Sequence, residues 1–90
     1  MKIEHKEGRF SAKTNHGDAE LLYTKSNSGN IEVYHTFVPP EERGKGIAEG
    51  LALAAIEYAK KNKVKIVPKC SYMVHFFETH EKLRPLSAEN

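Results

Sequence analysis

Of the 90 residues only one is a cysteine, Cys70. A lone thiol excludes an intrachain disulfide framework and a zinc site built from several cysteines, so a reduced, intracellular setting is expected, cytoplasmic with the nucleus left open. Long apolar runs are also missing. The longest, around Leu51 to Ile56, is far shorter than a membrane span, and the N-terminus has no apolar segment to act as a secretion signal, so no membrane partner is expected. Charge of one sign is scarce as well: 14 basic and 12 acidic side chains are interspersed for a net charge of +2. That balance lacks the clustered basic face of a nucleic-acid binder, yet leaves room for a local basic spot that receives an anion. No internal repeat or low-complexity segment is present.

What remains is a globular composition, 39% apolar and 29% charged, without the low hydrophobicity of disordered chains. Ninety residues lie near the lower end of sizes that build a core without metals or disulfides, and residues 1–90 are read as one domain with a modest core.

Turn residues punctuate the first thirty positions. Short antiparallel strands are expected over Ile3–Lys6, Arg9–Lys13 and Ala19–Lys25, separated by Glu7-Gly8 and Asn15-His16-Gly17-Asp18, with Ser26-Asn27-Ser28-Gly29-Asn30 as a hairpin loop. Ile31–Val38 alternates and is rich in β-branched and aromatic residues, which predicts the longest strand, with Ile31, Val33, His35 and Phe37 on one face. Pro39-Pro40 ends it, since neither residue can donate to a ladder. The period then changes: Ala48, Leu51, Ala52, Ala55, Ile56 and Ala59 line one face of a helix, with Glu57 and Lys61 spaced for an i,i+4 pair and Asn62 suited to a left-handed stop. Val64–Val67 reads as a short buried strand, so strand, helix and strand form a right-handed crossover between parallel strands. Ser71 to His80 repeats the helical spacing through Tyr72, Met73, Phe76 and Phe77, with Ser71 as N-cap. The tail from Lys82 to Asn90, interrupted by Pro85, is expected to be irregular and frayed.

The segment Val38-Pro39-Pro40-Glu41-Glu42-Arg43-Gly44-Lys45-Gly46-Ile47-Ala48 joins a strand to a helix through glycines. A helix start exposes unpaired N–H groups and a positive dipole end, which together receive a phosphate directly. Glycines let the anion approach the backbone, and Arg43 and Lys45 add charge-assisted donors. The alternative is that Gly44 and Gly46 only shape a turn. A Walker loop and a dinucleotide fingerprint do not fit, because the glycine spacing and the residues that follow are wrong for both.

Arg43, Gly46 and Ala48 satisfy the Arg/Gln-x-x-Gly-x-Gly/Ala motif, and the chain resembles the GCN5-related N-acetyltransferases. Val33-Tyr34-His35-Thr36-Phe37-Val38-Pro39, the Arg-Gly-Lys-Gly-Ile-Ala loop and Ile66-Val67-Pro68-Lys69-Cys70-Ser71-Tyr72 together look like the minimal acetyltransferase-like subfamily, over about residues 3 to 86. The resemblance implies an α/β (α+β) fold: a mixed, mainly antiparallel sheet, a central strand-loop-helix-strand unit that binds coenzyme A, and a second, C-terminal helix. It is a trimmed version of the larger enzymes, without much of their acceptor-binding half. It also implies acetyl-CoA as co-substrate, with Phe37 and Val38 against the pantetheine arm and Arg43, Gly44, Lys45, Gly46, Ile47 and Ala48 around the pyrophosphate.

Two side chains are candidates for the chemistry. Cys70 lies between a strand and a helix start, where dipole and free N–H groups favour a thiolate; it would accept the acetyl group or protonate the departing thiolate, or else be a small buried hydrophobe. His35 has a pKa suited to a base near neutral pH and, if neighbouring strands bring it to Cys70, forms a Cys/His pair; the alternative is a hydrogen-bonded core histidine. His75 and His80, five apart, do not share a helix face, and no metal is expected. Tyr72 could act as an acid, with packing as the default.

An acetyltransferase acting on an amine is the first reading, and a non-catalytic acyl-CoA-binding module the alternative. The acceptor is open among a protein lysine, a protein N-terminus and a small amine. No nucleic-acid partner is expected, and a monomer or weak homodimer fits an exposed sheet edge in so small a fold.

Overall fold

The computed structural model describes residues 1–89. Five strands form one sheet in sequence order: β1 (Glu4–Lys6), β2 (Arg9–Thr14), β3 (Gly17–Lys25), β4 (Ile31–Phe37) and β5 (Ile66–Pro68). The first four pair antiparallel through tight turns, and β4 pairs with β5 in parallel. The crossover between them carries α1 (Ile47–Asn62), and α2 (Ser71–Thr79) follows β5. The expected hairpin loop closes with Ser26 N–H donating to Asn30 O and Gly29 N–H to Ser26 O. β3, nine residues long, exceeds the seven of β4, so β4 is not the longest strand.

The core joins Phe10, Ala12, Ala19, Leu21 and Tyr23 of the hairpin to Ile31 and Val33 of β4, the Leu51–Ala59 stripe of α1, and Met73, Phe76 and Phe77 of α2. Fully burying Leu51 or Ile56 contributes about 2 kcal/mol each, more than the roughly 1 kcal/mol that Gly50 costs inside the same helix, so packing rather than propensity holds α1.

Helix details differ from expectation. The left-handed stop of α1 is Lys63, at φ 57°, while Asn62 closes the last turn by donating Nδ2–H to Tyr58 O. Glu57 pairs with Lys60 at 3.9 Å, one residue earlier than Lys61. At α2 the N-cap position falls to Cys70, with Ser71 as the first helical residue. The last strand begins at Ile66 rather than Val64.

The tail is more ordered than its composition suggests. Glu81–Leu86 forms a 3₁₀ helix, Arg84 donates to Phe77 O and Glu78 O, and Ala88 N–H donates to Ile66 O, so the segment lies along the outer edge of β5. Asn90, the end of the expected frayed tail, lies outside the described residues.

Candidate active site

β4 is read in two phases. Leu22 pairs with His35 but Tyr23 pairs with Val33, so Tyr34 is an extra residue, a bulge. Ile31 and Val33 face the core before it; after it Thr36 faces inward, while His35 and Phe37 face the uncovered side of the sheet. The expected common face of Ile31, Val33, His35 and Phe37 is therefore broken. His35 is an exposed side chain with its Nε2 3.6 Å from Glu20 Oε2, stacked parallel to Phe37 at 6.5 Å, and is not a core histidine.

The parallel pairing of β4 with β5 stops at Val33 opposite Pro68, and Lys69 N–H donates to Val33 O just beyond. From there β5 turns into α2 while β4 runs on alone, and the strands part. In the gap Cys70 Sγ and Thr36 Oγ1 share a hydrogen bond at 3.4 Å. The structure brings Cys70 to Thr36, not to His35, because adjacent strand residues project to opposite faces.

The parted strands open an apolar cleft of about 250 Å³ lined by Thr36, Phe37, Val38, Arg43, Ala48 and Tyr72. Burial, with Glu49 and Cys70 nearby, holds the Tyr72 phenol above its usual ionisation range and keeps it protonated. The cleft continues into one of about 170 Å³, which shares Val38, Arg43, Ala48 and Tyr72 and adds Gly44, Gly46 and Ile47.

This second cleft is the start of α1. Gly44 and Gly46 adopt φ 83° and 82°, a region that favours glycine, and both lie beneath open space. Gly46 is the N-cap and has no side chain to accept from the first turn, so those N–H groups remain available to an anion. Arg43 donates Nε–H to Val38 O at 2.9 Å, tying the loop to the end of β4; its two terminal nitrogens have no protein partner among the described residues.

Lys45 points elsewhere. Its Nζ donates to Glu42 Oε1 at 3.0 Å, and His16 Nδ1–H donates to Glu42 Oε2 at 2.7 Å from the β2–β3 turn. Glu42 is only 6% exposed, and His16 first and Lys45 second hold its carboxyl below the ordinary range. Sequence reasoning missed this brace because His16 and Glu42 are 26 positions apart. Tyr72, offered by the sequence as an acid with packing as the default, lines both clefts at the mouth of the gap, two residues after Cys70.

Thr36, Phe37, Val38, Arg43, Gly44, Gly46, Ile47, Ala48 and Tyr72 thus gather along one groove, with Cys70 outside its lining and bonded to Thr36, while His35 lies on the opposite face of β4. Among the described residues no group of three metal-ligating side chains occurs, and no helix is long and apolar enough to cross a membrane.

Comparison with known proteins agrees with this architecture. The sequence profile of the family described as GCN5-related N-acetyl-transferase matches residues 9–86. Protein NATD1 of Xenopus tropicalis is 32% identical, over 94% of this chain and 87% of its own length, and Protein NATD1 of Homo sapiens is 30% identical, over 94% and 84%. An NMR solution structure of a GCN5-like protein from Staphylococcus aureus superposes with a TM-score of 0.80 at 27% identity, covering 99% of this chain and 89% of that one. A five-stranded sheet that parts beside a glycine-led helix start, carried by a sequence that the profile matches almost throughout, places the chain in the GCN5-related N-acetyltransferase family.

Proposed function

We propose that the protein transfers an acetyl group from acetyl-CoA to an amine, with the co-substrate lying along the groove from Thr36 to Gly46. The observation that carries this reading is the continuity of the two clefts: an apolar channel beside an unpaired strand edge leads to a helix start with free N–H groups. Phe37 and Val38 offer backbone and apolar surface to the pantetheine arm. Gly44, Gly46, Ile47 and Ala48 offer N–H groups, and Arg43 its free guanidinium nitrogens, to the pyrophosphate.

The chemistry uses few side chains. The amine nitrogen attacks the thioester carbonyl carbon, a C–N bond forms, and the C–S bond breaks with its electron pair leaving on sulfur. Tyr72, protonated at neutral pH, supplies the proton that the thiolate takes up. His35, next to Glu20 on the uncovered face of the sheet, is the base for an amine arriving from that side. Backbone N–H groups of β4 beyond Val33 polarise the carbonyl.

Cys70 defines a second route, in which the thiol first accepts the acetyl group. The direct route is favoured because Tyr72, and not Cys70, lines the cleft, and the thiol is engaged by Thr36. An intracellular compartment suits both the co-substrate and the free thiol. Titration with CoA, followed by turnover assays on a panel of peptide and small amines, tests the reading. Binding with acetylation of an amine supports it, binding without turnover of any amine leaves an acyl-CoA-binding module, and absence of CoA binding overturns both.

A further inference from the structure

Edge strands carry unpaired backbone groups, and this sheet has two edges. The outer edge of β5 is closed by the tail, where Ser87 bridges Ile66 and Ala88 N–H donates to Ile66 O. The other edge is β1, whose residues Glu4, His5 and Lys6 are all exposed and pair only with β2 among the described residues. The neighbouring ladder fixes which of its groups are free. Tyr23 N–H donates to Gly8 O, so Gly8 and, two residues on, Phe10 turn their backbone groups toward β3. His5 stands opposite Phe10, and its own N–H and C=O therefore point out of the sheet edge, whereas Glu4 and Lys6 turn theirs to Ser11 and Arg9. On the α1 side, a cleft of about 480 Å³ whose walls include His5, Glu57, Tyr58 and Lys61 leaves room for a side chain projecting beside His5.

The side chains select the strand that fits. Glu4 and Lys6 project to the uncovered face of the sheet, away from the His5 ring that stacks on Phe10, and neither is in an ion pair among the described residues. A second copy of β1, laid antiparallel about a twofold axis at His5, exchanges both His5 backbone bonds and sets Glu4 of each copy against Lys6 of the other. In that register Lys2 falls opposite Gly8, so no like charges stand opposite each other across the seam. A parallel copy in register would instead set Glu4 on Glu4 and Lys6 on Lys6. We propose that the protein self-associates through β1, joining two five-stranded sheets into one continuous sheet about His5. The seam is short, well under the area of a permanent interface, so the dimer is weak, with a Kd on the order of 10⁻⁴ M. The groove opens at β4, on the far side of β3, so each copy keeps its own site.

Sedimentation equilibrium at low salt, from about 10 µM to about 1 mM protein, tests the seam, and the wild type is expected to pass from monomer to dimer over that range. Glu4→Lys and Lys6→Glu each set like charges at both junctions and are expected to weaken the dimer by roughly tenfold or more. An equimolar mixture of the two variants brings opposite charges together again and regains the dimer, as does the double reversal Glu4→Lys/Lys6→Glu. A local folding defect would give neither recovery. Exchange of the His5 amide hydrogen, followed by NMR, is expected to slow as the wild-type concentration rises, a readout that needs no variant. A wild type that stays monomeric throughout overturns the proposal and leaves the edge to solvent or to a strand of another protein. The proposal also falls if the dimer is indifferent to both reversals, if the mixed variants stay apart, or if the His5 amide exchanges equally fast at both ends of the range.

Discussion

Thr36 Oγ1 and Cys70 Sγ meet at 3.4 Å across the gap where β4 and β5 part, and they do so because the bulge at Tyr34 turns Thr36 inward and His35 outward. The hydroxyl occupies the place at the thiol that a Cys/His pair would give to an imidazole. The thiol therefore has a neutral partner and no base at hand.

This contact separates the two chemical routes. Intact-mass measurement after incubation with acetyl-CoA is expected to show no adduct of about 42 Da that disappears in Cys70→Ala, and Cys70→Ala retains most of the turnover. Tyr72→Phe, which removes the proton donor and little volume, is expected to lower kcat by roughly 10²-fold with a smaller change in KM. An adduct lost in Cys70→Ala, together with an unaffected Tyr72→Phe, establishes the covalent route instead.

At Gly46 the requirement is conformational as well as spatial. The residue sits at φ 82° with open space above it, so Gly46→Val folds but strains its backbone, losing about 1–2 kcal/mol by denaturant titration. Its branched side chain then fills the space over the helix start, and CoA affinity is expected to fall below detection. Unchanged affinity removes the loop from the binding site.

The brace between the β2–β3 turn and the loop gives a pH signature. His16 and Lys45 hold Glu42 below its ordinary value of 4.5, so the folded carboxylate is favoured over the unfolded one. Its contribution is fully present above that ordinary value and is lost as pH falls through the lower folded value. Thermal melts from about pH 6 down to about pH 3 are expected to show a steeper fall in Tm for the wild type than for Glu42→Gln, the two differing most at the upper end. Parallel curves dismiss the brace as a stabilising element.

Gly50 lies in the interior of α1, where a Cβ would run into the terminal methyl of the Met1 side chain. Met1 is 71% exposed and flexible, and it moves aside at little cost. Gly50→Ala is therefore expected to stabilise the fold by about 0.5–1 kcal/mol in denaturant titration, the helix-propensity gain. A loss of stability shows instead that Met1 is anchored.

Periodicity made the elements legible. The spacing of Leu51, Ala52, Ala55, Ile56 and Ala59 places α1 within a residue of its observed start, and the strand-helix-strand order gives the parallel crossover. The glycine loop was legible because positive φ is a local demand that glycine meets. The faces of β4 were not, because alternation is a rule for an unbroken ladder, and the inserted residue at Tyr34 is settled by the partner strand. The Glu42 brace and the direction of Lys45 depend on a contact across 26 positions that no local pattern encodes. The order of the tail likewise depends on the free edge of β5, to which Ala88 donates.

The bulge makes Tyr34 a spacer whose effect is a count rather than a side chain. Tyr23 and Leu22 are consecutive in β3 but pair with Val33 and His35, so removing Tyr34 alone closes the bulge and leaves the pairing and the face of every other residue as they are, with Thr36 still toward Cys70. It is a regular ladder that keeps Tyr34 which would reverse the strand: Thr36 would leave Cys70, and the rings of His35 and Phe37 would turn toward the helices. The end of β4 thus tolerates the loss of this one exposed residue better than it tolerates a shift of register that retains it.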